Sequence, residues 1–289
     1  MAAIPPPPPP PNPDSQGGGA LPLAPLTPGS IIGRAFSTLG EHWKPLLGIS
    51  AVFTAISFVS GLLIGLAAGD TSDTMELDTS ATIAVLVGTG LYFIVWMAMT
   101  GALTRLVASE VAGAPGGVAD SLRYGLRHLG SILVVGLLLL AILFVEILVG
   151  SLFAGALHAP FLLFFVFLGA LFLGLTLSMS IPALVIENKR GSEALSRSWA
   201  LIMSAFGHSL GTLTLTFLVL LAGSIAAGVV GTAGETMSVI ANLVLQVVTL
   251  PFVSLVLVLL YVNLRVKAGG ITKDSLRSEL RATGPTPMA

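Results

Sequence analysis

The sequence predicts an all-α fold, a polytopic membrane helix bundle of six transmembrane helices paired as three hairpins with cytoplasmic interfacial amphipathic helices. Three observations predict it. Of 289 residues, 54% are hydrophobic and 9% charged, where an ordinary soluble domain carries about 25% charged residues. Six mostly apolar stretches reach the ~20 residues that a helix needs to cross a bilayer. All 13 Lys and Arg fall in alternate segments between those stretches.

The composition also excludes function classes. A mean hydropathy of +0.96 leaves too few charges to clothe a soluble enzyme of this length. The absence of Cys removes disulfide scaffolds and thiolate metal sites. A net charge of −1 supplies no basic field for nucleic acid. The apolar runs are too long and too little alternated for the strands of a membrane barrel.

Residues 1–28 carry an unbroken run from Pro5 to Pro11 and further Pro and Gly. Proline fixes φ and donates no backbone hydrogen bond, so this segment reads as a disordered, polyproline-II-like cytoplasmic tail. It lacks the basic and apolar regions of a secretory signal. The membrane domain then occupies 29–267, with a short cytoplasmic tail over 268–289. The expected spans are 45–68, 82–107, 131–157, 161–186, 208–230 and 237–262. Within the tail, 272–280 suits one short helix with Thr272 as its cap.

Charge sets the orientation. Arg34 and Lys44 precede span 1, and Arg105, Arg123 and Arg127 follow span 2. Lys189, Arg190 and Arg197 follow span 4, and the last five cations follow span 6. The other connections hold none, and 70–81 instead carries Asp70, Asp73, Glu76 and Asp78. By the positive-inside rule both termini are cytoplasmic. Arg outnumbers Lys and Gly and Ala are abundant, which suits a GC-rich bacterial genome and makes the plasma membrane the expected address.

A unit recurs before each odd-numbered span. Ile32, Phe36, Leu39 and Trp43 are spaced i, i+4, i+7, i+11, as are Val118, Leu122, Gly125 and Leu129, and Leu195, Trp199, Ile202 and Phe206. That spacing lines one helical face, interrupted in the second copy by Gly125. Each stretch follows a start signal (Gly29-Ser30, Gly116-Gly117, Gly191-Ser192) and should end at 44/45, 130/131 and 207/208. Phe36, Trp43 and Trp199, with Arg197, form a candidate interfacial or partner surface at headgroup depth.

Within the spans, Glu146 is a carboxylate in hydrocarbon, which costs a few kcal/mol unless it finds a partner or water. Asn242 and Gln246 complete a candidate intramembrane polar site with it. Pro182 and Pro251 are candidate kinks, because each removes a helix donor and clashes one turn back. Gly61, Gly65 and Gly69 on span 1, and Gly223, Ala227 and Gly231 on span 5, are candidate close-packing faces, expected to face neighbouring helices or each other. The acidic loop lacks the ligand spacing of a calcium site. His42, His128, His158 and His208 are scattered. No nucleophile elbow, Walker loop or complete dinucleotide fingerprint is present, so no catalytic set, metal or cofactor is expected.

Three pieces of the chain resemble a known family. They are PLAPLTPGSIIGRAF from Pro22 to Phe36 with WKPLLG from Trp43; IPALVIE from Ile181 to Glu187 with EALSRSW from Glu193 to Trp199; and LYVNLR from Leu260 to Arg265. Together they resemble the bacterial glycerophosphoryl diester phosphodiesterase membrane-domain family over about residues 22–282. Some members are fused to a soluble phosphodiesterase barrel, for which this chain has neither the room nor the carboxylates and histidines. Asn263 stands where the resemblance leads one to expect Asp. The resemblance implies fold and location, and no chemistry of its own.

The expected function is therefore that of a non-enzymatic membrane scaffold or accessory subunit. It would bind the lipid bilayer, a membrane protein partner or a second copy of itself, and no nucleic acid. The alternative is a small-solute transporter or channel using Glu146 and kinked spans 4 and 6.

Overall fold

The computed structural model describes residues 25–68, 79–113, 117–269, 271 and 273–282. The tail before residue 25, the acidic connection over 69–78 and Thr272 lie outside them. Every regular element described is an α-helix. In chain order these are α1 (Pro28–Glu41), α2 (Trp43–Ala68), α3 (Thr79–Ala112), α4 (Val118–Arg127), α5 (Leu129–Ala156), α6 (Leu162–Leu177), α7 (Ser180–Glu187), α8 (Ser192–Ser204), α9 (Phe206–Gly231), α10 (Glu235–Lys267) and α11 (Lys273–Ala282). Six stretches are long and apolar enough to cross a membrane, the fourth made of α6 and α7 together.

The short helices α1, α4 and α8 each precede a pair of spans. They end at His42, His128 and Ala205, two residues before the expected breaks and at equivalent points of the three copies. Trp43, Leu129 and Phe206 thus open the spanning helices instead of closing the short ones. Pro45 explains the first case. It sits in the first turn of α2, where a missing N–H has no partner to lose, so the chain turns ahead of it.

The second spans form the centre. α3 packs against α10 and α7, while α2, α5 and α9 lie outside them. The basic-end half of α10 is buried from Phe252 to Arg265, apart from Val253 and Leu257, as a helix apolar on all sides should be. α5 is equally apolar yet exposes Leu137, Leu140, Phe144 and Leu148, the surface that lipid covers.

The short helices do not sit mainly on their own hairpins. α4 lies against α3, α8 against α6 and α7, and α1 against α9 and α10. Each unit therefore docks its short helix on the unit before it, and the first docks on the third, so the molecule closes on itself. Gly125 makes one of these contacts possible. A Cβ there would lie 2.5 Å from the Ala98 carbonyl oxygen, so the residue that interrupts the apolar face is the point where α4 and α3 approach most closely.

The two prolines act differently. α10 runs unbroken through Pro251. Span 4 breaks at Ser178 and Met179, one turn before Pro182, where the ring displaces the Ser178 carbonyl and no N–H answers it. Ser198 of α8 fills the gap. Its hydroxyl accepts from the Met179 N–H at 3.0 Å and donates to the Thr176 carbonyl at 2.7 Å. The Met179 N–H and the Thr176 carbonyl, two backbone groups at the break, are thereby satisfied, as buried polar groups must be.

Candidate functional site

The polar side chains converge at the basic end, under the three short helices. α7 ends on Asn188 in the left-handed conformation (φ 55°), a position Asn tolerates. Gly191, also at positive φ, then turns the chain into α8. This tight reversal points Glu187 back at Arg197, ten residues later.

Glu187 is the hub. Arg197 donates from Nε at 3.1 and 3.0 Å and from a terminal nitrogen at 3.0 Å. The Tyr261 hydroxyl donates to Oε1 at 2.5 Å, and Arg265 Nε lies 3.1 Å from the same oxygen. Arg265 then pairs with Glu279 of α11 at 2.7 and 3.0 Å. Two carboxylates meet two guanidiniums, so the cluster is neutral. The Glu187 and Arg265 side chains are 11% and 9% exposed, and charges so buried persist only when paired. The Glu187 carboxylate holds the Arg197 guanidinium above its ordinary range, against partial desolvation.

Asn263, on the same stretch of α10, ties in the N-terminal segment. Its side-chain oxygen accepts from the Leu26 N–H at 2.7 Å, and its nitrogen donates to the Leu26 carbonyl at 3.3 Å and to His208 Nε2 at 2.8 Å. An amide nitrogen only donates, so His208 accepts through Nε2. α11 closes the same end. Leu276 and Leu280 are buried, Arg277 donates to the Ala112 and Gly113 carbonyls at the end of α3, and Arg105 donates to the Leu280 carbonyl. Arg105 also lies over the Tyr124 ring at 4.9 Å. Burial pushes the Tyr124 phenol up, and the nearby Arg105 opposes it.

The residues singled out in the sequence fall in separate places. Glu146 packs from α5 against Gly169 of α6, and its Oε2 has no hydrogen-bond partner. Asn242 bonds its amide to the Ser238 carbonyl on its own helix, and Gln246 is half-buried on α10; neither joins Glu146. Phe36, Trp43 and Trp199 are exposed. Phe36 lies 4.7 Å from the Phe252 ring and Trp199 5.7 Å from Phe172. Arg197, expected on that open surface, instead binds Glu187. Gly223 and Gly231 face Leu245 and Ser238 of α10, whereas nothing lies within 4 Å of a Cβ built at Gly61. Ala227 is half-buried, Gly65 lies on α2, and Gly69 lies outside the described residues. The span-5 small face thus packs on α10 and not on span 1.

Glu187, Tyr261, Asn263 and Arg265 stand in the sequence only as letters of the resembling motifs, and their meeting in one cluster is visible only in the fold. The signal was present: three polar residues at i, i+2 and i+4 in an otherwise apolar run of α10. The three resembling pieces meet through Leu26 on Asn263, Arg197 on Glu187, and Tyr261 and Arg265 on Glu187.

A second feature lies deeper. A cavity of about 350 Å³ opens between α2, α3, the break in span 4 and α10, walled by Phe53, Trp96, Met97 and Pro182 among others. Its lining is apolar apart from hydroxyls.

Comparison of the chain with protein-family models, with curated proteins and with solved structures returns no match.

Proposed function

We propose that the protein is a non-catalytic scaffold or accessory subunit of the bacterial plasma membrane, with both termini cytoplasmic, which holds lipid or a partner protein at its basic end. The observation that carries this reading is the saturation of the Glu187 cluster. Its acids and bases spend their hydrogen bonds on one another and brace α7, α8, α10 and α11. A catalytic pair would keep one group aimed at open space. The exposed Phe36, Trp43 and Trp199 supply the aromatic belt that seats such a platform at headgroup depth. The resemblance to the membrane-domain family agrees with this reading, since it implies location without chemistry.

The test is capture of the tagged protein in mild detergent, with lipids and proteins identified, from wild type and from a Phe36→Ala/Trp199→Ala variant. A stoichiometric companion lost in the variant supports the reading. A catalytic turnover, or capture that the variant leaves unchanged, overturns it.

The unpartnered Oε2 of Glu146 supports a second reading, a small-solute transporter. A proteoliposome flux abolished by Glu146→Gln would establish it. The packing of Glu146 against Gly169 of the neighbouring α6 favours the first.

A further inference from the structure

Glu146 is the only charged residue of α5, and α6 opposite it carries none. It makes no hydrogen bond or ion pair with any described residue, and its Oε2 is buried. It lies ten residues before the outer end of α5, about 15 Å at 1.5 Å per residue. A Cβ built at Gly169 would come within 2.6 Å of Oε1, so α6 offers the carboxyl a bare notch and no donor side chain. One turn farther out, Gly150 faces Val166 in the same seam. Near its basic end α5 rests on α3, Ile132 against Gly101 and Gly136 against Met97. Farther out, Phe144, Leu148 and Leu152 of α5 and Phe165 and Leu168 of α6 are exposed. The outer part of this hairpin is thus a helix pair with open sides and one uncompensated carboxyl in its seam.

We propose that the α5–α6 seam docks a transmembrane helix of another protein, one that carries a Lys or Arg within the bilayer to pair with Glu146. Charge selects the occupant. An acid inside a membrane is costly unless it meets water, a donor or a cation, and such acids pair with basic groups. A lone Lys or Arg on a partner helix is equally costly, so pairing relieves both. Lipid chains bring neither donor nor charge. A second copy of this chain brings no cation either: the nearest ones in sequence are Arg127 and Lys189, and all 13 Lys and Arg belong to the basic end. A metal cation needs several oxygen ligands, and no group of three His, Cys, Asp or Glu suited to one exists among the described residues. Helices pack side chains into the grooves of their neighbours, and glycines let them come close; Gly150 and Gly169 place such a groove beside the carboxyl. The seam lies apart from Phe36, Trp43 and Trp199, so the proposal does not rest on the basic-end platform.

The probe is a synthetic transmembrane peptide of Leu and Ala, about 20 residues long, with one central Lys; a second peptide has Leu in its place. The full chain has no Cys, so Leu157→Cys, exposed at the outer end of α5, takes a donor dye, and the peptides carry an acceptor. Energy transfer in phosphatidylcholine vesicles is read against the peptide-to-lipid ratio. Saturable transfer is expected for the Lys peptide, with half-saturation about tenfold below that of the Leu peptide, the size of one polar contact between helices in a membrane. Glu146→Gln should erase the difference, and so should moving the Lys two turns along the peptide. The melting temperature of Glu146→Gln should hold, because neither carboxyl oxygen has a hydrogen bond to lose. Comparison of the two peptides on unaltered Glu146 needs no variant at that position. Three results each overturn the proposal: equal half-saturation for the two peptides, a Lys preference that survives Glu146→Gln, or transfer between donor- and acceptor-labelled copies of the protein that Glu146→Gln abolishes, which would mark a homodimer of paired acids.

Discussion

The Met179 N–H donates to the Ser198 hydroxyl across 3.0 Å, so a residue of α8 occupies the gap that Pro182 opens in the fourth span. The fold thus repairs a broken membrane helix with a side chain from outside that helix. The repair also fixes where α8 lies, and with it Arg197.

Ser198→Ala should leave the Met179 N–H and the Thr176 carbonyl without that partner. The expected loss is about 1–3 kcal/mol, read as a lower melting temperature in detergent. Ser196→Ala, at an exposed position of the same helix, should change little. Equal melting of the two variants would remove Ser198 from the account of the break.

Glu187→Gln should be the costlier change. It strands Arg197 and the buried Arg265, and breaking one side of a buried pair costs about 3–5 kcal/mol. Tyr261→Phe, in a double-mutant cycle with Glu187→Gln, should show coupling, because the two side chains share a hydrogen bond. Additive losses would mean that the pair does not act together.

Gly125→Ala and Gly33→Ala should move stability in opposite directions. The first drives a methyl into the α3 backbone and should cost about 1–3 kcal/mol. The second meets nothing within 4 Å in the interior of α1 and should gain up to about 1 kcal/mol. Urea or SDS titration of the two variants reads the sign directly.

Orientation is testable because the chain has no Cys. Thr232→Cys, in the connection between α9 and α10, should react with an impermeant maleimide added to intact cells. Ser192→Cys, at the start of α8, should react only after the membrane is opened. The reverse pattern would invert the topology.

The number of spans, their pairing and the three short helices were legible because length, hydropathy and cation placement act locally along the chain. Which span lies at the centre was not. Inside a membrane the core and the lipid-facing surface are both apolar, so α5 and α10 look alike in sequence although one is exposed and the other buried. The Glu187 cluster was hidden for a different reason: its members lie far apart in the chain and meet only through tertiary packing. Gly125 was read as a flaw because a pattern of faces counts side-chain bulk, whereas close helix approach depends on its absence. Pro182 and Pro251 look equivalent in sequence, yet α10 runs on through Pro251 while span 4 breaks ahead of Pro182, where the Ser198 hydroxyl pairs with the Met179 N–H and the Thr176 carbonyl.

The docking of α1 on α9 and α10 has a consequence for biosynthesis. α1, made before any of the six spans, finds its seat only when the last two spans are made. At about 5–20 residues per second, the interval is roughly 10–45 s. During it Ile31 and Ala35, fully covered in the finished protein, must wait against the bilayer or a chaperone. Truncation before the sixth span should therefore leave the amino-terminal helix protease-sensitive, however well the earlier hairpins have inserted.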